Sequence, residues 1–275
     1  MSQEKTSPEH HRSSPSALEA VEAQLVAYAR DFGRLAGSEL EKTKRLKIAH
    51  EQLQVYARDL KIAYQDERRR AGELEKAYYD SVRRLVSASR YKDQETGKHI
   101  ERLSHYAEAV AKHLGWKPDA TRLLFDATPM HDVGKIGVPD SILSKPAPLN
   151  EQEWQQMKRH TVLGASLLKG SASPLLELAR HIALCHHERW DGSGYPQGLK
   201  GEAIPSAARI VMLVDQYDAL RSPRPYKPAF SHGKACDVML NGDDRTRPAH
   251  FDPEMIDAFH HLQDSFRDTY ARRAD

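Results

Sequence analysis

Apolar residues recur every seventh position along the first third of the chain, in two interleaved series. One runs Leu18, Leu25, Phe32, Glu39, Leu46, Leu53, Leu60, Glu67, Leu74, and the other Val21, Tyr28, Leu35, Lys42, Ala49, Tyr56, Ala63, Arg70, Ala77. An apolar period of about 3.5 residues sustained this long predicts a coiled-coil helix whose seam side chains insert between those of a partner helix. A long helix laid on its own domain would show the same period. The seam is interrupted at Glu39/Lys42 and at Glu67/Arg70, and polar seam residues weaken pairing while fixing its register. Gly33 and Gly37 precede Ser38-Glu39-Leu40-Glu41, which has capping-box spacing, so a break or hinge is expected near 36–38.

The flanking pattern differs on each side. Residues 1–16 are polar, carry Ser and Pro clusters and show no periodicity, which predicts disorder. They lack the apolar stretch of a signal peptide. Beyond residue 80 the heptads fade, and helix-like spacing returns in Arg83 to Tyr91, His99 to Leu114, Ala120 to His131, Glu151 to Lys169, Leu175 to His187, Ser206 to Leu220 and Pro253 to Arg273. Breakers separate them: Gly115 to Pro118, Gly134 to Pro148, Gly170 to Pro174 and Gly192 to Pro205. No segment alternates with period two. The expected organisation is a disordered N-terminus (1–16), a coiled-coil helix (17–79) and an all-α domain (80–275).

Composition narrows the functional classes. Apolar residues make up 39% of the chain, enough for a core, while the net charge of +2 leaves no bulk field that would gather a nucleic-acid polymer or a membrane surface. No apolar run approaches the length of a membrane span. Cys185 and Cys236 lack CxxC spacing and read as free thiols in a reducing compartment, so a cytoplasmic setting is expected. Cys185 adjoins His186, which leaves a ligand role open beside that of a buried thiol.

Candidate chemistry concentrates where imidazoles meet carboxylates. His186-His187-Glu188-Arg189-Trp190-Asp191-Gly192-Ser193-Gly194-Tyr195-Pro196 forms poor helix and poor strand. Upstream lies His131-Asp132-Val133-Gly134-Lys135, and Asp215 follows the apolar run Ile210 to Val214. Neighbouring imidazoles repel once charged, a conflict that a metal removes. Asp215 inside an apolar helix needs a metal or a hydrogen-bond network. Glu95 and His99 share a helix face at i, i+4, although such a pair is also common on exposed helices. His160 alone reads as a helix-surface residue. Oxygen and nitrogen donors in this density, with almost no thiol, suit a hydrolytic site holding more than one metal ion.

Taken in order, Glu95-Thr96-Gly97-Lys98-His99, His131 to Pro139, His160, His186 to Pro205 with its Gly194-Tyr195-Pro196 tripeptide, and Asp215 to Leu220 resemble the HD-GYP domain family of bacterial phosphodiesterases. The resemblance implies an HD-superfamily helical bundle over residues 80–275. It implies metal ligands at Glu95, His99, His131, Asp132, His160, His186, His187 and Asp215, with Asp132 bridging. Two or three divalent ions are expected, iron or manganese, and three are favoured because Glu95 is present. The implied reaction is hydrolysis of cyclic di-GMP to linear pGpG or GMP by a metal-activated bridging hydroxide, with His131, Asp132 and Lys135 at its centre. Lys135, Arg224 and Lys227 are implied to bind substrate phosphate, whereas a basic run such as Arg224 to Lys227 alone would read as solvated surface. Three other readings stand beside this one. The same site could sense a cyclic dinucleotide with little turnover or cleave a different one, or the coiled coil could make the protein a signalling scaffold. The seam itself predicts a parallel homodimer through residues 18–78, with a signalling partner protein as its possible input.

Overall fold

The computed structural model describes residues 17–34, 39–90, 97–222 and 229–273, all helix, turn or irregular backbone with no strand among them. The expected disorder of residues 1–16 lies outside the described residues, as do Glu95, Arg224 and Lys227. The chain divides into two compact units, Met1–Ser81 and Val82–Asp275.

The first unit holds α1 (Ala17–Arg34) and most of α2 (Glu39–Arg90), the long N-terminal helix that the heptads predict. The break expected near 36–38 lies outside the described residues. Tyr28 stacks on Tyr56 with ring centroids 5.0 Å apart, while Leu18 and Val21 line a groove of about 440 Å³ with Leu60, Ala63, Arg70 and Leu74. Residues thus pair in opposite order along the two helices, so α1 lies antiparallel on α2. The heptads are therefore shared by two helices rather than displayed on one, and part of the seam is covered from within the chain. Elsewhere seam residues remain open: Leu46 and Leu53 are 54% and 52% exposed.

The second unit is built around α3 (Gly97–His113) and α9 (Ser206–Arg221), which pack on each other. α3 buries Leu103, Tyr106, Ala107, Val110 and Ala111 along one stripe, the face expected of an amphipathic helix. α9 is covered on most of its sides and buries Ile210, Val211, Leu213, Val214 and Tyr217. α4 (Pro118–Ala127) and α11 (Pro253–Arg272) close on α3, and α8 (Pro174–Cys185) closes on α4 and α9. Tyr106 stacks on Phe266 at 4.4 Å, and Tyr217 meets both edge-on at 5.5 and 5.1 Å. Gly115, at φ 72°, ends α3, with Trp116 N–H donating to Ala111 O at 2.9 Å in a Schellman closure. α10 (His232–Asn241), capped by Ser231, completes the layer against α9 and α11.

Three local features depart from the periodicity. The helix expected to run to His131 ends at Ala127 and tightens into a 3-10 turn over Thr128–Met130, because Pro129 has no N–H to continue the ladder. The helix expected over Glu151 to Lys169 is two, α6 (Glu151–Lys158) and α7 (His160–Leu167). His160 Nδ1 and Thr161 Oγ1 bond Met157 O and Lys158 O at 2.8 and 2.9 Å, competing for carbonyls that a continuous helix would use. A short α5 (Asp140–Leu143) and α10 lie in segments without an expected helix. Among the described residues no helix is long and apolar enough to cross a membrane.

Candidate metal centre

The buried stripe of α3 continues past its apolar residues into His99 and Arg102, which carries polar groups into the core. Opposite them, α9 contributes Asp215 and the fully buried Asp218. His99 Nε2 lies 3.8 Å from Asp215 Oδ1, while its Nδ1 bonds Asp218 Oδ2 at 2.7 Å. Asp218 also receives Arg102 Nε at 2.7 Å and Nη2 at 2.8 Å. Burial alone would raise the Asp218 pKa, but the bonds from Arg102 and His99 hold it below the usual carboxylate range.

His131 and Asp132 follow the 3-10 turn that Pro129 imposes, and a further 3-10 turn, Val133–Gly137, carries Gly134 and Lys135. This second turn packs on α7. A Cβ at Gly134 would lie 1.9 Å from His160 O and 2.3 Å from Gly164 N, so only glycine lets the two backbones meet. That approach brings His160 Nε2 to 3.2 Å from Asp132 Oδ1. His186 and His187 sit at the C-terminal end of α8, with ring centroids 4.1 Å apart. His186 Nε2 lies 3.5 Å from the same Asp132 oxygen. The other oxygen, Oδ2, faces His131 Nε2 at 3.3 Å and Lys135 Nζ at 2.6 Å.

Two groups of donor atoms result: Asp132, His160, His186 and His187, and His99, His131 and Asp215. Within each group the donor atoms lie within 4.8 Å of one another. Every expected ligand among the described residues is brought to the site, His160 included. Cys185 belongs to neither group; it is buried beside Ile204 and Ala208, and burial pushes its thiol pKa up to about 11.

Four imidazoles have their Nδ1 occupied: His131 by Thr128 O at 3.0 Å, His160 by Met157 O at 2.8 Å, His186 by Ile182 O and Ala183 O at 3.1 Å, and His99 by Asp218. Donation from Nδ1 leaves the Nε2 lone pair facing the centre, as metal ligation needs. Burial lowers the His160 pKa to about 4, and burial with the neighbouring His186 and His160 holds His187 well below its ordinary value. Asp132 is drawn upward by burial, yet Lys135 and His131 hold its carboxyl well below the usual range. Neutral imidazoles at His160 and His187 beside an ionised Asp132 are the protonation states that ligation requires.

The fit to metal ions rests on unsatisfied atoms. His160 Nε2, His186 Nε2 and Asp132 Oδ1 are buried with no hydrogen-bond partner. Buried polar atoms without partners are rare in native proteins because each carries an uncompensated desolvation cost. Here they converge on one point, and a divalent cation satisfies all of them.

Sequence reasoning missed the support beneath these candidate ligands. Asp218 and Arg102 orient His99. Their signal was present, since Arg102 lies one turn after His99 on the same stripe and Asp218 one turn after Asp215. Glu188 was passed over as well. It is 1% exposed and accepts Gln197 N–H at 2.7 Å and Leu199 N–H at 3.0 Å, gathering the glycine-rich loop beneath its carboxylate. That loop returns Tyr195 onto His187, with ring centroids 4.7 Å apart at 29°. Gly194 is required in this loop because a Cβ there would lie 2.3 Å from Arg189 N.

Comparison with known proteins places these residues in context. The family profile described as HD domain matches residues 84–255. A protein named cyclic di-GMP phosphodiesterase from Vibrio cholerae serotype O1 is 43% identical over 195 residues, covering 66% of this chain and 39% of that one. The cyclic di-GMP phosphodiesterase response regulator RpfG of Xanthomonas campestris pv. campestris is 47% identical over 175 residues, covering 64% of this chain and 45% of that one. The 3'3'-cGAMP-specific phosphodiesterase 2 of Vibrio cholerae is 37% identical over 182 residues, covering 66% of this chain and 34% of that one. The chain thus spans less than half the length of each of these relatives.

Proposed function

The chain belongs to the HD domain family, and on that premise we propose that it is a metal-dependent phosphodiesterase hydrolysing cyclic di-GMP to the linear dinucleotide or GMP. The observation that carries this reading is the convergence of partnerless buried His160 Nε2, His186 Nε2 and Asp132 Oδ1 on one point. Relatives named for cyclic di-GMP hydrolysis, at 43% and 47% identity, supply the substrate.

Asp132, His160, His186 and His187 would hold one ion, and His99, His131 and Asp215 a second. Asp132 turns one oxygen to each group, which fits a bridging role. Glu95, outside the described residues, would add a third position by its sequence motif. An all-nitrogen and oxygen donor set suits iron or manganese. When bound, the ions would supply Lewis-acid neutralisation of charge on the phosphoryl oxygens and a lowered pKa for water. The chain's own contribution is to hold the donors in the right protonation state. Nδ1 bonds fix the imidazole tautomers, and Lys135 keeps Asp132 ionised at 2.6 Å. Lys135 also stands at the site as a cation for a substrate phosphate, with Arg224 and Lys227 assigned the same task from their motif.

Anaerobically purified chain, assayed for iron and manganese and for cyclic di-GMP turnover on one sample, tests the reading. Metal at two or more equivalents together with turnover is expected. Metal-replete protein that binds cyclic di-GMP without cleaving it would make the site a sensor, and faster cleavage of 3'3'-cGAMP would move the substrate to that of the relative at 37% identity.

A parallel homodimer through the N-terminal helices belongs to the same reading. Its support is the exposed part of the seam, Leu46 and Leu53 on α2. Cys185 and Cys236, both free and buried, fit the cytoplasmic setting we propose.

A further inference from the structure

α6 buries none of its residues, and its sequence is Glu151-Gln152-Glu153-Trp154-Gln155-Gln156-Met157-Lys158. Its single large aromatic residue, Trp154, is 41% exposed, so packing does not explain the residue. Its position is nonetheless well held. Asn150 and Glu153 form a capping box around the first turn, and Lys145 Nζ bonds both Glu153 oxygens at 2.6 and 2.7 Å. An exposed indole on a fixed helix start is a preorganised surface.

Ring contacts tie that surface to the metal centre. Trp154 meets Tyr195 edge-on with centroids 6.0 Å apart at 76°, and Tyr195 stacks on His187 at 4.7 Å. Two ring contacts therefore separate the exposed indole from a candidate ligand. Tyr195 has one face covered by His187, and Lys158 Nζ lies 5.8 Å from its centroid. Trp154 is left as the ring with open surface at the rim of a site suited to phosphodiesters. A flat apolar group carried by the same molecule as the phosphate would cover it.

We propose that Trp154 is the stacking platform for a nucleobase of the substrate, with Lys158, one helical turn on, donating to the base edge. The proposal rests on the phosphodiesterase reading and deepens it, because it makes the ligand a nucleotide rather than any phosphodiester. Stacking on an aromatic ring tolerates every base. A lysine donor favours a base edge with two acceptors, as guanine presents through O6 and N7.

Steady-state kinetics on the metal-loaded full chain provide the test, with cyclic di-GMP as substrate and inorganic phosphate as a base-free inhibitor. Trp154→Ala is expected to raise KM by about 5- to 150-fold, the range for loss of one stacked base, with kcat little changed. Phosphate inhibition and metal content are expected to match wild type, and Trp154→Phe to recover most of the loss. Unchanged KM in Trp154→Ala overturns the platform. A defect shared by kcat, phosphate inhibition and metal content also overturns it, and would mean that Trp154 only props Tyr195 against His187. Lys158→Met is expected to narrow the preference for cyclic di-GMP over cyclic di-AMP, and an unaltered preference removes Lys158 from the proposal. Wild-type protein that holds its metals but neither binds nor cleaves cyclic di-GMP overturns the phosphodiesterase reading and the platform together. Wild-type turnover with an unaffected Trp154→Ala variant overturns the platform alone.

Discussion

Three glycines near the metal centre differ sharply in what an added methyl group would meet. At Gly134 it would press on backbone, 1.9 Å from His160 O, and backbone cannot swing aside. At Gly164 the nearest atoms stand at 3.2 and 3.3 Å, and at Gly137 the contact is the mobile end of Leu163 at 2.9 Å. Gly134→Ala should therefore destabilise the domain by more than the roughly 1–3 kcal/mol typical of overpacking and release metal, because His160 moves with its backbone. Gly164→Ala should cost less and Gly137→Ala least; thermal melts of the three variants check the order, and equal losses would contradict it. Asp218 is the second decisive residue. Asp218→Asn would weaken the partnership of a guanidinium buried at 0% exposure, where breaking a buried ion pair costs about 3–5 kcal/mol. It would also disturb the acceptor that orients His99 at 2.7 Å, lowering metal affinity about 10–100-fold. Metal titration and melting of the metal-free protein separate the two effects. The candidate ligands His131, Asp132, His186 and His187 stood out in the sequence because imidazole beside carboxylate is rare, whereas His160 alone read as helix surface. Arg102 and Asp218 carried a weaker signal, their one-turn spacing from His99 and Asp215, and a lone Arg and a second Asp on helices look like ordinary surface until burial is known.

At the scale of elements, the helices were read where an apolar stripe was long and misread where a candidate ligand interrupts it. The periodicity through Glu151 to Lys169 holds on both sides of Arg159, yet His160 and Thr161 turn their side chains back onto helix carbonyls and split it into α6 and α7. The same happens before His131, where Pro129 tightens the last turn. Breaks at these positions are invisible to a hydrophobic pattern because they are made by side-chain hydrogen bonds at His160 and Thr161 and by the missing N–H of Pro129. α10 was missed for a simpler reason. Gly233 hides its start, although Ser231 as cap and Ala235, Cys236, Val238 and Met239 at helical spacing were available. The glycine-rich loop depends on Glu188, and this dependence supplies a prediction. Glu188→Ala removes the acceptor for Gln197 and Leu199 N–H. Each lost bond is worth about 0.5–1.5 kcal/mol. Hydrogen exchange at these two amides should accelerate while the amides of α3 and α9 stay protected. Unchanged exchange at Gln197 and Leu199 would show that the loop is held by other contacts.

For the whole molecule, the heptads pose the question of what covers the N-terminal seam. The heptads ask for a partner helix, and α1 supplies part of it by folding back so that Tyr28 meets Tyr56 and Leu18 faces the Leu60 to Leu74 stretch. That use of the seam was not legible, because a heptad series fixes which side chains must be buried and leaves open whether the burying helix belongs to the same chain. Coverage by α1 is partial, since Leu46 and Leu53 are 54% and 52% exposed. A second stripe, Ile48, Val55 and Ile62, is 56%, 51% and 57% exposed on a different side of α2. Fully burying one such side chain contributes about 1.5–3 kcal/mol, so either stripe offers enough to hold two copies together. The seam is the better candidate because it carries Leu at one position and Ala49 and Tyr56 at the other, and its polar interruptions set a register. In a parallel pair Lys42 and Arg70 align with their own copies, weakening the pairing at fixed points without abolishing it. The full chain should therefore be dimeric at micromolar concentration by light scattering, and a chain starting near Lys76 monomeric. Leu46→Lys with Leu53→Lys should give monomers, whereas Val55→Lys with Ile62→Lys should leave the dimer intact. The reverse pattern would move the interface to the second stripe. A monomeric full chain would mean that the hairpin of α1 and α2 needs no second copy, and that the leucines left open on α2 serve some other surface.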